Sequence, residues 1–266
     1  MIRQTLVPLL TALAFLPAPR LAAQAPADLA AERAAFTDWL VHSPVSPYAA
    51  VSAAPLDPAG VGLELGGRTA RIVERNGAAW LEGAGAPRVL PRNRPALVGT
   101  TTVLVTGEPP RSRVMLFGAG RRAVAPAYYP YDPALVFSGT LVAPTAPGSE
   151  RVLTPDGVEV EATVAGTVTV PLGGGTTLRV LRLPDPGSEE SSLEIYFRDG
   201  TSGTGSYPAG RFVTLAPIAG GRYRLDFNRS RNPFCAYNAA YPCPAPWRGN
   251  AIAVPVAAGE RYESHP

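Results

Sequence analysis

Prolines and glycines constrain this chain more than any other residues: 30 Pro and 27 Gly are spread over 266 positions. Each proline fixes φ and removes a backbone donor, so helices and central strands must fit between prolines. The pattern predicts many turns, short strands and few long helices. One stretch, Asp28 to Val41, departs from it. There Leu29, Ala30, Arg33, Phe36, Trp39 and Leu40 recur at helical spacing, and Ser43-Pro44 stops the run. The Phe36/Trp39/Leu40 stripe is expected to be core, packed across a sheet.

From about residue 56 the period changes to two. Leu63-Glu64-Leu65 and Ala70 to Val73 read as strands, and Asn76-Gly77 is a strong hairpin signal before Ala79-Trp80-Leu81. Val98 to Thr106 and Val114 to Phe117 extend the β pattern. After a Pro- and Tyr-rich connector at Ala125 to Pro133, further strands are expected at Leu135–Phe137, Val158–Val164, Thr167–Leu172 and Thr177–Leu183. Leu193, Ile195 and Phe197 then point one way, with Glu194, Tyr196 and Arg198 the other. In the same manner Tyr223, Leu225 and Phe227 oppose Arg222, Arg224, Asp226 and Asn228. The expected fold class is all-β, mainly an antiparallel sandwich or half-barrel, with one short N-terminal helix. The expected organisation is a signal peptide at 1–25, the helix at 26–45, a β-rich subdomain at 46–128 and a C-terminal β domain at 129–266.

The signal peptide rests on Arg3, the apolar run Leu6 to Leu16 and the A-x-A site Ala23-Gln24-Ala25 before Pro26. That run is shorter than the roughly 20 residues that cross a bilayer, and Pro8 and Pro17 interrupt it. Cleavage after Ala25 is expected, giving a periplasmic or secreted protein with no membrane span left.

The residue inventory excludes much chemistry. All 24 basic residues are arginine. Without lysine there is no Schiff base, no Walker-type phosphate lysine and no Ser-Lys dyad. The two histidines, His42 and His265, stand near the ends, which argues against a Ser-His-Asp site or a His-rich metal site. The arginines are scattered without a basic stripe, so no nucleic-acid partner is expected. No cofactor and no metal are expected either.

The last quarter concentrates polar residues, prolines and both cysteines. Asp199-Gly200-Thr201-Ser202-Gly203 reads as a tight turn, followed by Tyr207, Gly210-Arg211-Phe212 and Leu225-Asp226-Phe227-Asn228-Arg229. Beyond Asn228, Pro233, Pro242, Pro244 and Pro246 rule out a central strand and leave an irregular lid over the polar strand face. Cys235 and Cys243 lie in that lid, and in an exported chain such a pair is expected to form a disulfide. Closing a ring of about nine residues would stabilise the fold by roughly 2.5 kcal/mol. Ala258-Gly259-Glu260 reads as the end of a final strand.

From Tyr196 to Glu260 the order and spacing resemble a bacterial family catalogued only as domain of unknown function number 1684. The carrying residues are the Asp199-Gly200-Thr201-Ser202-Gly203 turn, Gly210-Arg211-Phe212, Asp226-Phe227-Asn228, Asn232-Pro233-Phe234-Cys235, Cys243-Pro244 and Ala258-Gly259-Glu260. His42-Ser43-Pro44-Val45 and Tyr129 to Pro133 are weaker landmarks. Ser206-Tyr207, Phe234 and Pro244-Ala245-Pro246-Trp247 depart from the usual pattern. The resemblance implies no reaction.

The expectation is a module that binds a small ligand or serves a structural role, with a polar pocket under the lid. Asp199, Thr201, Ser202, Tyr207, Arg211, Asp226, Asn228, Asn232 and Glu260 are the candidate lining, and Arg211 is the candidate contact for a small anionic or polar ligand. Each also has a plain reading, as a turn residue, an ion pair or a buried hydrogen bond. Two alternatives stand beside it. One is a cofactor-independent enzyme with Asp226 or Asp199 as general base and Tyr207 as acid. The other is an assembly module contacting a partner through Tyr237, Tyr241 and Trp247.

Overall fold

A computed structural model describes residues 23–120, 122–184, 190–245, 247 and 249–263. Most of the expected signal peptide (residues 1–22), Pro246 and His265 lie outside the described residues. Helix α1 (Ala27–His42) ends where the Ser43 N–H reaches Trp39 O at 2.9 Å. It does not lie across a sheet as its apolar stripe suggests. Phe36 meets Tyr237 at 6.4 Å between centroids and Trp39 meets Phe234 at 5.7 Å, so the stripe packs on the segment that follows the last strand. The polar face is held from the same side, with Arg229 pairing with Asp28 and Glu32 and Arg33 donating to Asn228 O at 2.9 Å.

The first half of the chain forms two four-stranded antiparallel sheets. One is ordered β1 (Ala50–Pro55), β8 (Arg113–Phe117), β7 (Thr101–Thr106), β6 (Ala96–Val98). The other runs β2 (Val61–Leu65), β3 (Arg68–Arg75), β4 (Ala78–Glu82), β5 (Arg88–Leu90). The β3–β4 turn is Asn76-Gly77 with φ of 50° and 76°, the positive values a two-residue hairpin needs. Leu63, Ile72, Leu81, Val103, Val105 and Val114 interleave between the sheets as a sandwich core. Alternation sends Leu104, Met115 and Phe117 to the opposite face of the first sheet, where they meet the second half of the molecule.

That second half is one seven-stranded antiparallel sheet, ordered β10 (Ser149–Leu153), β11 (Glu159–Val170), β12 (Thr176–Pro184), β13 (Ser191–Phe197), β14 (Arg211–Ile218), β15 (Arg222–Asp226), β9 (Val136–Gly139). The two strands expected at 158–164 and 167–172 are one long strand, bent by a bulge between Val164 and Gly166. Val142, just past β9, exchanges both backbone bonds with Thr167 at 2.9 Å, which curls the sheet back onto β11. Inside the curl Val168, Leu178, Ile195, Phe197, Leu215, Leu225 and Phe227 enclose Ile252, Val256 and Ala258 of the C-terminal segment. That segment was expected to be a final strand. It makes only isolated bridges instead, because Pro255 and Gly259 break the pairing, and it fills the curl as an extended plug. The fold is mostly antiparallel β with one N-terminal helix. No helix among the described residues is long and apolar enough to cross a membrane.

Candidate functional site

Arg211 organises the motif-rich end of the chain. It opens β14 beside Gly210, whose φ of +115° and approach to Phe197 O leave no room for a Cβ. Its side chain is fully buried and its guanidinium is used up by the protein. Nη2 donates to Asp199 Oδ2 at 2.8 Å and to Val256 O at 2.9 Å, while Nη1 donates to Ala258 O and Glu260 O. Only Nε lacks a partner. Asp199 is equally engaged: Oδ1 accepts from Thr201 N, Thr201 Oγ1 and Val256 N. Ser202 Oγ accepts the Asp199 N–H at 3.1 Å, and Thr201 Oγ1 meets Ser206 Oγ at 2.7 Å. Together these groups satisfy the backbone of the C-terminal plug, which has no sheet partner of its own.

The asparagines act as surrogate backbone. Asn228 lies past the end of β15, in a 3-10 turn at Phe227–Arg229, and not on the strand face expected for it. Its amide accepts from Asp132 N and donates to Asp132 O, both at 2.9 Å, and donates to Asp226 Oδ1 at 3.0 Å. Asp226 Oδ1 also caps that turn by accepting Asn228 N. Asn250 does the same for Arg179, and Asn238 holds Pro47 O and Ala50 O, joining the lid to the first half. Cys235 and Cys243 are bridged. The Tyr207 hydroxyl sits against both sulfurs, at 3.4 and 3.2 Å, and shares no hydrogen bond with Asp199 or Asp226. Of the lid aromatics, Tyr241 and Trp247 are buried inward.

Glu260 follows Gly259, whose φ of +74° places two carbonyls 2.7 Å from any added Cβ. Its carboxylate is buried, accepting from Asn232 N at 2.9 Å and from the Tyr237 hydroxyl. Burial pushes it from 4.5 up to about 7, although both hydrogen bonds and the Arg211 charge pull it down. The sequence-predicted residues therefore form connected hydrogen-bond networks around the plug, with Tyr207 apart at the disulfide.

A different set of residues surrounds a cavity of about 580 Å³ between the first sheet and the lid side of the seven-stranded sheet. Strand alternation builds both walls. Leu104 and Thr106 from β7 face it with Arg113, Met115 and Phe117 from β8; Leu183 from β12 and Ser192 and Glu194 from β13 stand on the other side. Phe234, Tyr241 and Pro242 of the lid and Phe36 and Trp39 of α1 close it. Asn232 alone of the expected pocket residues lines this cavity.

The walls are mostly apolar but carry unmet polar atoms. Glu194 is 2% exposed; its Oε1 accepts from Arg231 Nη2 at 2.9 Å and Thr214 Oγ1 at 2.8 Å, and its Oε2 has no partner. Asn232 Oδ1, Asn93 Oδ1 and Arg113 Nε are likewise buried without a partner. Burial raises the carboxyl of the half-buried Asp156 on the same rim, against the hydrogen bond from Thr154. Among the described residues no three His, Cys, Asp or Glu side chains stand close enough to hold one metal ion. Arg113 and Glu194 escaped sequence reasoning, although the period-two pattern that places Met115 and Glu194 on particular faces was visible.

The family model described as a protein of unknown function, DUF1684, matches residues 125–261, just over half of the chain. That span holds the plug, the lid and the seven-stranded sheet. A solution NMR structure of an uncharacterized protein of Haloarcula marismortui is 32% identical, over 52% of this chain and 76% of that one, with a TM-score of 0.44. No curated protein matches.

Proposed function

The chain belongs to the DUF1684 family of proteins of unknown function, and we propose that it is a binding module for a small, largely apolar molecule held between its two β halves and under its lid. One observation carries this reading: the 580 Å³ cavity has the size and apolar lining of a ligand site, and four of the side chains that line it each hold a buried polar atom without a partner. A merely structural interface would be expected to close such a space or satisfy those atoms.

An environment-sensitive apolar fluorophore titrated into the protein tests it. Binding with one site per chain is expected. Leu104→Trp fills the cavity from β7 at a tolerable packing cost of about 1–3 kcal/mol, and is expected to abolish binding with the fold retained. Equal binding to Leu104→Trp would contradict the assignment.

The proposal includes export, with the molecule working in the periplasm or outside the cell. The Leu6–Leu16 run, the Ala23-Gln24-Ala25 site and the Cys235–Cys243 bridge support it. The mass of protein recovered from the exported fraction is expected to begin at Pro26 and to lie two hydrogens below the reduced form. A chain retaining its first residues in the cytoplasm would sink this part.

A further inference from the structure

We infer that the molecule held in this cavity is an amphipathic anion, with its charged head against Arg113 on one wall, an apolar body, and a hydroxyl or amine donor against Glu194 and Asn232 on the other. The inference rests on the reading of the cavity as a binding site and adds the chemistry of its occupant.

Arg113 is the basis of the anionic end. It stands in β8 on the same face as Met115 and Phe117 and lines the cavity with them. Among the described residues its side chain makes no hydrogen bond and no ion pair, and Nε is buried without a partner. The other arginine on the wall, Arg231, is already neutralised by Glu194 at 2.9 Å. A guanidinium left unpaired at an apolar wall is the group best matched by a carboxylate, which it can bind in two-pronged fashion.

The opposite wall asks for the reverse. Glu194 Oε2 and Asn232 Oδ1 are acceptors, both in side chains at least nine-tenths buried, and neither finds a donor. Glu194 also keeps its charge balanced through Arg231, so the open oxygen calls for an O–H or N–H and not for a second cation. Leu104, Met115 and Phe117 on the Arg113 wall, Leu183 on the opposite wall and Phe234 of the lid supply the apolar surface for the body of the ligand. Asp156 is the other carboxylate on the rim, and burial raises its pKa.

Three ligands with one apolar body separate the parts of this inference: decanol, decanoate and ω-hydroxydecanoate, titrated by calorimetry into the wild type and Arg113→Met. In the wild type decanoate is expected to bind at least about tenfold more tightly than decanol, and ω-hydroxydecanoate more tightly again. In Arg113→Met the advantage of decanoate is expected to vanish while decanol binds as before, which also shows that the variant is folded. Decanol binding as tightly as decanoate in the wild type would overturn the anionic head and leave the apolar site standing. No gain from the ω-hydroxyl would overturn the role given to Glu194 and Asn232. If none of the three binds, the binding-module reading falls together with the inference.

Discussion

Arg211→Met is expected to destabilise the protein by about 3–5 kcal/mol, because it leaves Asp199 charged and uncompensated in the interior. The carbonyls of Ala258 and Glu260 lose their donor in the same stroke, and that of Val256 keeps only the Ala258 N–H. Those three belong to the plug that fills the curled sheet, so the loss spreads to Ile252, Val256 and Ala258 of the core. For a chain of this length the change corresponds to a fall in Tm of about 10 °C or more. The double variant Arg211→Met with Asp199→Asn removes the stranded charge and is expected to recover part of the loss. Calorimetric scans of the three proteins check both statements. A single variant that melts within a degree or two of wild type would show that the plug is held by something else.

The second large effect is on pH. Glu260 has its pKa raised from 4.5 to about 7 by burial. Its contribution is therefore complete below the unfolded value, where both states are protonated. As pH rises, the unfolded chain ionises first, so stability falls between about pH 4.5 and pH 7 and then levels off. The slope approaches about 1.4 kcal/mol per pH unit, for a total near 3 kcal/mol. Asp156 is shifted in the same direction and adds to the slope. Glu260→Gln keeps the shape of the side chain and a carbonyl for the Asn232 N–H. Urea unfolding at pH 5 and pH 8 is expected to show the wild type losing about 2.5 kcal/mol relative to Glu260→Gln across that interval. A constant difference between the two proteins would mean that Glu260 is ionised throughout.

Local pattern carried much of this fold. Asn76-Gly77 set the β3–β4 turn, the spacing of Phe36, Trp39 and Leu40 set α1, and the prolines after Asn228 excluded a strand there. The misses share a cause. β1 is Ala50-Val51-Ser52-Ala53-Ala54-Pro55, a run with weak strand propensity that pairs only because β8 offers it an edge. The 258–260 segment reads as a strand by composition, yet tertiary packing makes it a plug. Function was harder to read. Polar residues clustered in sequence at 199–232 serve buried backbone, a duty indistinguishable in sequence from ligand contact. The cavity wall is instead assembled from Arg113 and Met115 of β8, Glu194 of β13 and Phe234 of the lid, three places in the chain that only the docking of the two halves brings together.

The most direct test of the cavity reading exploits the scarcity of methionine. The chain has two, and Met115 lies on the cavity wall. Methyl-labelled methionine gives a spectrum in which the Met115 signal reports from inside the site. Titration with decanoate is expected to shift that signal in a saturable manner, with the shift lost in Leu104→Trp. A Met115 resonance that stays fixed while decanoate reaches its solubility limit would contradict the account.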